Sequence, residues 1–80
     1  MRSVAVNARR LRQEAARRGL STGDLARQAK LSVRTVRAAM AGNRIAPASL
    51  RLIAETLARI PVLDIADALL LDIDAGHDLE

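Results

Sequence analysis

The sequence predicts an all-α fold, in which five short helices form one compact domain. Half of the 80 residues are apolar, and over most of the chain they recur at the three- and four-residue spacing of amphipathic helices. The alternation of polar and apolar residues that is typical of a strand occurs only over residues 3–6, which are too few to make a sheet without a partner. A chain of this length has room for one hydrophobic core.

The first helix follows a short N-terminal arm. Residues 1–6 carry no helix signal, so we expect them to be extended. Asn7 is a favourable N-cap, because its side-chain oxygen can accept a hydrogen bond from a free backbone N–H of the first turn. The helix is predicted to run to Arg18 and to end at Gly19, which tolerates the left-handed conformation, with Leu20 folding back as its hydrophobic partner.

The second helix is short and begins with a capping box. Ser21 is followed three residues later by Asp24, so the side chain of each can accept a hydrogen bond from the backbone N–H of the other. The helix is predicted to extend to about Ala29, and its apolar face carries Leu25, Ala26 and Ala29.

The third and fourth helices are bounded by similar signals. Ser32 can cap the third helix, which runs to about Ala41, where Gly42 and Asn43 are expected to end it by adopting positive φ. The fourth helix begins near Pro47, whose fixed φ suits a first helical position. Its predicted buried stripe consists of Leu50, Ile53, Ala54 and Leu57.

A fifth helix is predicted over about residues 62–71, after Pro61, and residues 73–80 are expected to fray as an acidic tail. The apolar band of this helix is broader than a small domain can cover from one side, which favours a homodimer. The alternative is that a chain without aromatic residues needs all these aliphatic side chains for its own core. The residues expected at the dimer interface are Val62, Ile65, Leu69, Leu70 and Ile73.

The charges divide the chain into a basic part and an acidic part. All thirteen Lys and Arg residues lie before Ile60 beside only three acids, which leaves +10, whereas the remaining residues carry six acids, no bases and a charge of −6. Clustered arginines suit a polyanion, because neutralised phosphates release their counterions, and an acidic end would be repelled by the same phosphates. A solvated surface with biased composition would show the same charges, so charge alone leaves both interpretations open.

The composition argues against several other classes of protein. With no Cys and a single His, the chain has no disulfide, thiolate zinc site or histidine cluster, and we expect no metal or cofactor. The absence of Phe, Tyr and Trp removes the stacking surfaces of modules that bind RNA or single strands. His77 lies in the expected tail and no Ser has a positioned base, so no enzyme is expected. With neither a membrane span nor an export signal predicted, we expect a cytoplasmic protein.

Two short helices joined by a turn of three or four residues have the spacing of a helix-turn-helix. Wider similarity is carried by Gly19-Leu20-Ser21-Thr22-Gly23-Asp24-Leu25-Ala26, Leu31-Ser32-Val33-Arg34-Thr35-Val36, Gly42-Asn43-Arg44 with Pro47, and Leu50-Arg51-Leu52-Ile53-Ala54-Glu55-Thr56-Leu57. Together these stretches resemble the lambda repressor and Cro-like (XRE-type) family of DNA-binding domains. The resemblance implies a five-helix domain over residues 7–72 whose third helix lies in the major groove.

A helical wheel indicates which side chains of the third helix would face DNA. Thr35, Val36 and Ala39 fall on one side, and the opposite side carries small apolar residues and two arginines. Arginine can pair bidentately with guanine or phosphate, and small apolar side chains can contact thymine methyl groups. The alternative is that the two arginines are ordinary surface charges surrounded by water. The residues expected to read bases are Val33, Arg34, Arg37 and Ala38.

The resemblance also implies where DNA phosphates would be bound. Thr22 occupies a position where the family commonly has a Gln that contacts phosphate, and Asn43 and Arg44 match the loop that grips the DNA backbone. The residues expected to bind phosphate are Thr22, Ser32, Asn43 and Arg44. The arginines of the first helix are expected to supply a background positive field, with Glu14 pairing with Arg10 or Arg18 at four-residue spacing.

The chain departs from the family pattern at two places. Lys30 stands in the turn where many members have Gly, so we expect either a left-handed Lys or a slightly different turn. Ala15 and Met40 stand where many members have an Arg–Glu ion pair, and we expect Met40 to pack on Ala15 instead.

The function expected from these observations is a dimeric transcriptional regulator that binds palindromic double-stranded DNA, acts as a repressor by occlusion, and is encoded by a bacterium or phage. A chain this short leaves little room for a small-molecule effector pocket. The alternative is a protein-interaction module, such as an antitoxin or anti-repressor, in which the fifth helix and the acidic tail hold a protein partner.

Overall fold

The computed structural model describes residues 2–63 and contains only helices over that range, which confirms the all-α class. The helices are α1 (Ala8–Arg17), α2 (Thr22–Ala29), α3 (Val33–Met40) and α4 (Pro47–Arg59). α2 packs against both α3 and α4, and α1 packs against α3. The described chain forms no strand, but one isolated antiparallel bridge joins Val4 to Ile45.

The predicted fifth helix falls almost wholly outside the described residues, as does the predicted acidic tail. Its first two residues, Val62 and Leu63, are described and are not helical. Among the residues predicted to form a dimer interface, Val62 is half-buried, and the others lie outside the described range. Those others are Ile65, Leu69, Leu70 and Ile73.

The first three helices begin at the residues predicted to cap them. The side chain of Asn7 accepts a hydrogen bond of 3.1 Å from the backbone N–H three residues further on. In the capping box, Ser21 Oγ lies 3.0 Å from the backbone N of Asp24, whose carboxylate accepts from the backbone N–H of Ser21 at 3.1 Å. Ser32 Oγ caps α3 in the same way, at 3.1 Å from the backbone N of Thr35. Each cap accepts a hydrogen bond from a backbone N–H that has no partner within the helix. Such a cap typically contributes about 1 kcal/mol to the free energy of unfolding.

The same three helices end with one common device, a residue of positive φ followed by a hydrogen bond back into the last turn. The left-handed residues are Gly19, Lys30 and Gly42, with φ of 69°, 59° and 84°. The next N–H along the chain donates to a carbonyl five residues earlier, in the pairs Leu20 to Ala15, Leu31 to Ala26 and Asn43 to Ala38. These are Schellman motifs, and they satisfy carbonyl groups that would otherwise lack a partner.

The left-handed Lys30 is therefore confirmed, and so is the folding back of Leu20, which packs against the core as Leu31 does. The expectation that Asn43 also adopts positive φ is wrong. Gly42 alone makes the left-handed turn, and Asn43 instead supplies the backbone N–H that closes the motif on Ala38. One left-handed residue is enough because the geometry of the motif requires positive φ only at its fifth position.

The core is small and wholly aliphatic, and every described helix contributes to it. Leu25 and Val36 are completely buried at its centre, and Ile53 is 1% exposed. Alanines at 15, 26 and 39 also belong to it, and their small side chains allow the helices to approach closely. Met40 is half-buried against this core, of which Ala15 is part, and its carbonyl accepts a hydrogen bond of 2.6 Å from Arg12 Nη1.

The predicted stripe of α4 is wrong at one position. Ala54 is exposed, whereas Thr56 is 1% exposed and takes its place on the buried face. The Thr56 hydroxyl donates to the carbonyl of Leu52 at 2.7 Å and accepts from Arg59 Nη2 at 3.3 Å. Because its polar atom is satisfied on the helix itself, the side chain can present its methyl group to the core at little cost.

A half-buried guanidinium closes the bundle between the C-terminal ends of α1 and α4. Arg18 Nε donates to the carbonyls of Leu57 and Ile60, at 2.8 and 2.9 Å, in the last turn of α4 and just after it. The backbone N–H of Leu63 then donates to the carbonyl of Arg17 at 2.9 Å. A Cβ at Gly19 would lie 2.8 Å from Leu63 Cδ1, the end of an exposed side chain that can move aside, so it is the positive φ that favours glycine at this position.

Lys30→Gly is expected to raise the free energy of unfolding by about 1 kcal/mol, because glycine adopts positive φ without the steric cost that Cβ imposes. The Lys30 side chain is exposed, so little packing is lost. Ala41→Gly is the matched control, since Ala41 is an exposed residue at a helix end with φ of −89°. We expect this control to destabilise the protein slightly. Urea unfolding followed by circular dichroism measures both, and destabilisation of the same size by both changes would contradict strain at Lys30.

Candidate nucleic-acid interface

α3 presents two arginines on the side opposite its buried face. Val36 and Ala39 are 0% exposed, and together they fix the rotation of the helix about its axis. Arg34 and Arg37 are exposed, and Val33 is 39% exposed. The two faces predicted by the helical wheel are therefore confirmed at these five residues, and Thr35 is half-buried.

Ala38 differs from the other three residues predicted to read bases. It is half-buried and packs partly against the core, so it lies at the edge of the exposed face. The side chains of Arg34 and Arg37 make no hydrogen bond or ion pair with any residue between 2 and 63. Their guanidinium groups are thus not committed to holding the described part of the fold together.

The first turn of α3 leaves backbone donors open beside these arginines. Ser32 Oγ accepts from the backbone N–H of Thr35 and donates to Thr35 Oγ1 at 2.9 Å, so its hydroxyl hydrogen is used within the cap. The backbone N–H groups of Val33 and Arg34 have no partner within the helix, as in the first turn of any α-helix. No acidic side chain lies in this turn. An anion at the start of α3 would therefore meet backbone amides rather than the predicted Ser32 hydroxyl.

The start of α2 is electrostatically different. Thr22 is its first residue and is half-buried, but the capping box holds the carboxylate of Asp24 at the same end of the helix. A hydrogen bond from the backbone N–H of Ser21 lowers the pKa of the Asp24 carboxyl, so the group is ionised at neutral pH. Arg27 pairs with it at 3.0 Å. This helix start already carries its own anion, and α3 offers the more favourable site for a phosphate.

The loop between α3 and α4 is joined to the N-terminal arm. Val4 and Ile45 exchange two backbone hydrogen bonds, of 2.8 and 3.1 Å. Next to this bridge, Arg44 donates from Nε to Ser3 Oγ at 2.9 Å and from Nη2 to the carbonyl of Ser3 at 2.7 Å. The sequence indicated an extended arm without identifying Ile45 as its pairing partner. Asn43 and Arg44 are both exposed, and Arg44 keeps N–H donors that Ser3 does not use.

The arginines of α1 are mostly involved in contacts within the protein. Glu14 lies 2.6 Å from Arg10 Nε, 2.7 Å from Arg18 Nη1 and 3.7 Å from Arg17 Nη1, so both predicted pairings of this carboxylate are confirmed. The hydrogen bond from Arg18, followed by that from Arg10, holds the pKa of the Glu14 carboxyl below its ordinary value. Arg18, expected to supply background charge and to pair with Glu14, also ties α1 to α4 through the carbonyls of Leu57 and Ile60.

Two further properties bear on what this surface can do. None of the helices between residues 2 and 63 is both long enough and apolar enough to cross a membrane. Over the same residues, no three His, Cys, Asp or Glu side chains are grouped so that they could hold a metal ion.

Comparison of the chain with protein-family models, with curated proteins and with solved structures finds no match.

Glu14→Gln is expected to lower the free energy of unfolding by about 1 kcal/mol at neutral pH, because the amide loses the charge-assisted hydrogen bonds from the arginines. Folding lowers the pKa of Glu14 from an ordinary value of 4.5, so its stabilisation is complete above that value. The stabilisation is lost as the pH falls through the lower pKa of the folded state. The difference in the free energy of unfolding between the variant and the wild type should therefore disappear at acid pH.

Urea unfolding at a series of pH values measures this difference. Glu55→Gln is the control, since Glu55 is 61% exposed and lies 3.8 Å from Arg51, and a smaller change is expected there. A difference between Glu14→Gln and wild type that stays constant down to acid pH would contradict the role assigned to the Glu14 carboxylate.

Proposed function

We propose that the protein is a sequence-specific regulator of transcription that binds double-stranded DNA, with α2 and α3 forming a helix-turn-helix and α3 lying in the major groove. The observation that carries this proposal is the exposed face of α3. Arg34 and Arg37 lie there without partners among the described residues, on a helix whose other side is completely buried.

The dimensions and chemistry of this face suit the major groove. An eight-residue helix is about 12 Å long, and the groove is about 12 Å wide and presents a distinct pattern of donors and acceptors for each base pair. The guanidinium of Arg34 or Arg37 can donate two parallel hydrogen bonds to O6 and N7 of guanine. Val33 offers methyl groups to thymine, and the small side chain of Ala38 allows close approach at the edge of the face.

Phosphates would be held on both sides of α3. At its start, the open backbone N–H groups after Ser32 can donate to one phosphate. At its end, Asn43 and the remaining donors of Arg44 can hold another, while Ser3 keeps the Arg44 side chain in position. Thr22 would add a weaker contact at the start of α2, where Asp24 opposes an anion. The charge of +10 before Ile60 supports this binding through counterion release.

The proposed regulator acts as a homodimer on a palindromic operator. Pairing through Val62, Ile65, Leu69, Leu70 and Ile73 would place two copies of α3 about one turn of DNA apart. Occupying such an operator represses transcription by occlusion and needs no small-molecule effector. A regulator of this kind would act in the cytoplasm of a bacterium, where its operator lies.

Arg34→Ala/Arg37→Ala is expected to weaken binding to the specific operator by roughly a hundredfold or more, since each bidentate contact with a base is worth about 1–3 kcal/mol. Arg51→Ala/Arg59→Ala is the matched control, because it removes the same charge from exposed positions on α4. We expect the control to weaken binding to all duplexes only modestly. Fluorescence anisotropy of a labelled duplex from upstream of the gene, beside a random duplex and across a salt series, measures both.

Equal losses in the two double variants, on both duplexes, would mean that α3 contributes only charge and would contradict sequence-specific reading. Wild-type protein that binds neither duplex at moderate salt would overturn the proposal. That result would favour the protein-interaction module, whose partner would then be sought at residues 62–80.

The wild-type protein is expected to be a dimer at micromolar concentration, with a mass about twice 8.6 kDa by light scattering. Leu69→Asp/Ile73→Asp should yield the monomer, because two carboxylates would have to be buried at the proposed interface. Leu52→Asp is the control, since Leu52 is 40% exposed on α4 and lies outside that interface. A wild-type monomer, or dissociation by the Leu52 change alone, would contradict the proposed pairing.

A further inference from the structure

The described chain ends beside the C-terminal end of α1. Arg18 holds the carbonyls of Leu57 and Ile60, and three residues later the backbone N–H of Leu63 donates to the carbonyl of Arg17. The Leu63 side chain lies against Gly19. Residue 64 therefore starts from a fixed point at one end of α1, whatever the path of the chain beyond it.

The side of α1 that faces away from the core is basic. This α1 outer face consists of Arg9, Arg10, Gln13, Ala16 and Arg17. The first four are exposed, and Arg17 is half-buried. Glu14 is the single acid on the helix, and its carboxylate already lies within 4 Å of three arginine side chains. The outer face thus keeps a net positive charge.

The segment that begins at residue 64 has the opposite charge and ample length. Residues 64–80 carry six acids and no base, and the first acid, Asp64, directly follows the anchored Leu63. Seventeen residues span about 55 Å when extended, whereas the ten residues of α1 are about 15 Å long. The position of Leu63 and the length of the segment both allow these acids to lie along α1.

We propose that the acids of residues 64–80 bind along the α1 outer face of the same molecule and compete with nucleic acid phosphates for it, while the apolar residues of the segment remain available for the proposed pairing. Binding within one molecule is favoured because a short tether gives an effective concentration in the millimolar range. The competition rests on the proposed function, but the binding of the segment to α1 does not. The competition would increase selectivity for the specific operator. Phosphates of any DNA sequence could no longer bind the α1 outer face, whereas contacts between α3 and the bases are unaffected.

The binding itself is tested without DNA, by comparing the amide NMR spectra of the full-length wild type and a variant whose six C-terminal acids are amides. The changes are Asp64→Asn, Asp67→Asn, Asp72→Asn, Asp74→Asn, Asp78→Asn and Glu80→Gln, and the apolar residues stay in place. At about 0.01 M salt, outside the changed segment, signals should differ mainly at Arg9, Arg10, Gln13 and Ala16. At about 1 M salt, where the Debye length is about 3 Å, these differences should vanish.

The exposed arginines of α4, Arg51 and Arg59, supply the internal reference, and their signals should not change. Signals of α1 that coincide in the two proteins, or differences that are as large on α4, would overturn the binding of the segment to α1. Differences that appear only as the protein concentration rises would also overturn it, because they would indicate contact between two molecules.

The competition is tested by anisotropy with a random duplex at low salt, where the six-amide variant should bind roughly tenfold more tightly than the wild type. In a background of Arg9→Gln/Arg10→Gln this gain should fall below about threefold, because the occupied surface has lost its charge. The matched background Arg51→Gln/Arg59→Gln should keep the full gain. Equal gains in both backgrounds would overturn local competition and indicate general repulsion of DNA by the acids.

The two proposals fail in distinguishable ways. If no protein binds any duplex while the α1 signals differ as expected, DNA binding fails and the contact of the acidic segment with α1 stands. If the wild type binds its operator and the α1 signals are unchanged, the contact fails and DNA binding stands.

Discussion

Two helices of only eight residues carry the candidate interface, and a helix this short is not stable alone in water. The rest of the structure depends on how their ends are closed. Ser21 with Asp24, and Ser32, satisfy the first turns, while left-handed residues at 30 and 42 close the last turns. Burial of Leu25 and Val36 then sets the rotation of each helix. The outward direction of Arg34 and Arg37 is a consequence of that burial rather than of any contact of their own.

Arginine has two physical roles in this small domain. Lacking aromatic residues, the chain closes its bundle with a half-buried guanidinium: Arg18 binds the carbonyls at the end of α4 and the carboxylate of Glu14. Arg44 similarly joins the arm to the loop before α4. Other arginines, such as Arg34 on α3 and Arg9 on α1, remain exposed at the surface. The net charge therefore overstates the positive surface that a ligand can meet.

Most of the local structure could be predicted because it depends on neighbours within a few residues. Asn7, Ser21, Ser32 and Pro47 each begin a helix as expected, since a cap bonds to an N–H three positions away and proline fixes its own φ. The two faces of α3 follow from the helical repeat of 3.6 residues per turn. The prediction that Asn43 also adopts positive φ is wrong, because Gly42 alone makes the left-handed turn.

The sequence by itself determined where the described helices begin, where the first three end to within about one residue, and which side of α3 is buried, because those features depend on hydrogen bonds and periodicity over a few residues. Tertiary structure decided the long-range pairings. Arg18 bonds to carbonyls 39 and 42 residues away, and Val4 pairs with Ile45, which carries no pairing signal of its own. It also placed Thr56 rather than Ala54 on the buried face of α4, since the packing of α2 on α4 selects that face. These contacts depend on which surfaces meet in the folded chain, and residue type alone does not specify that.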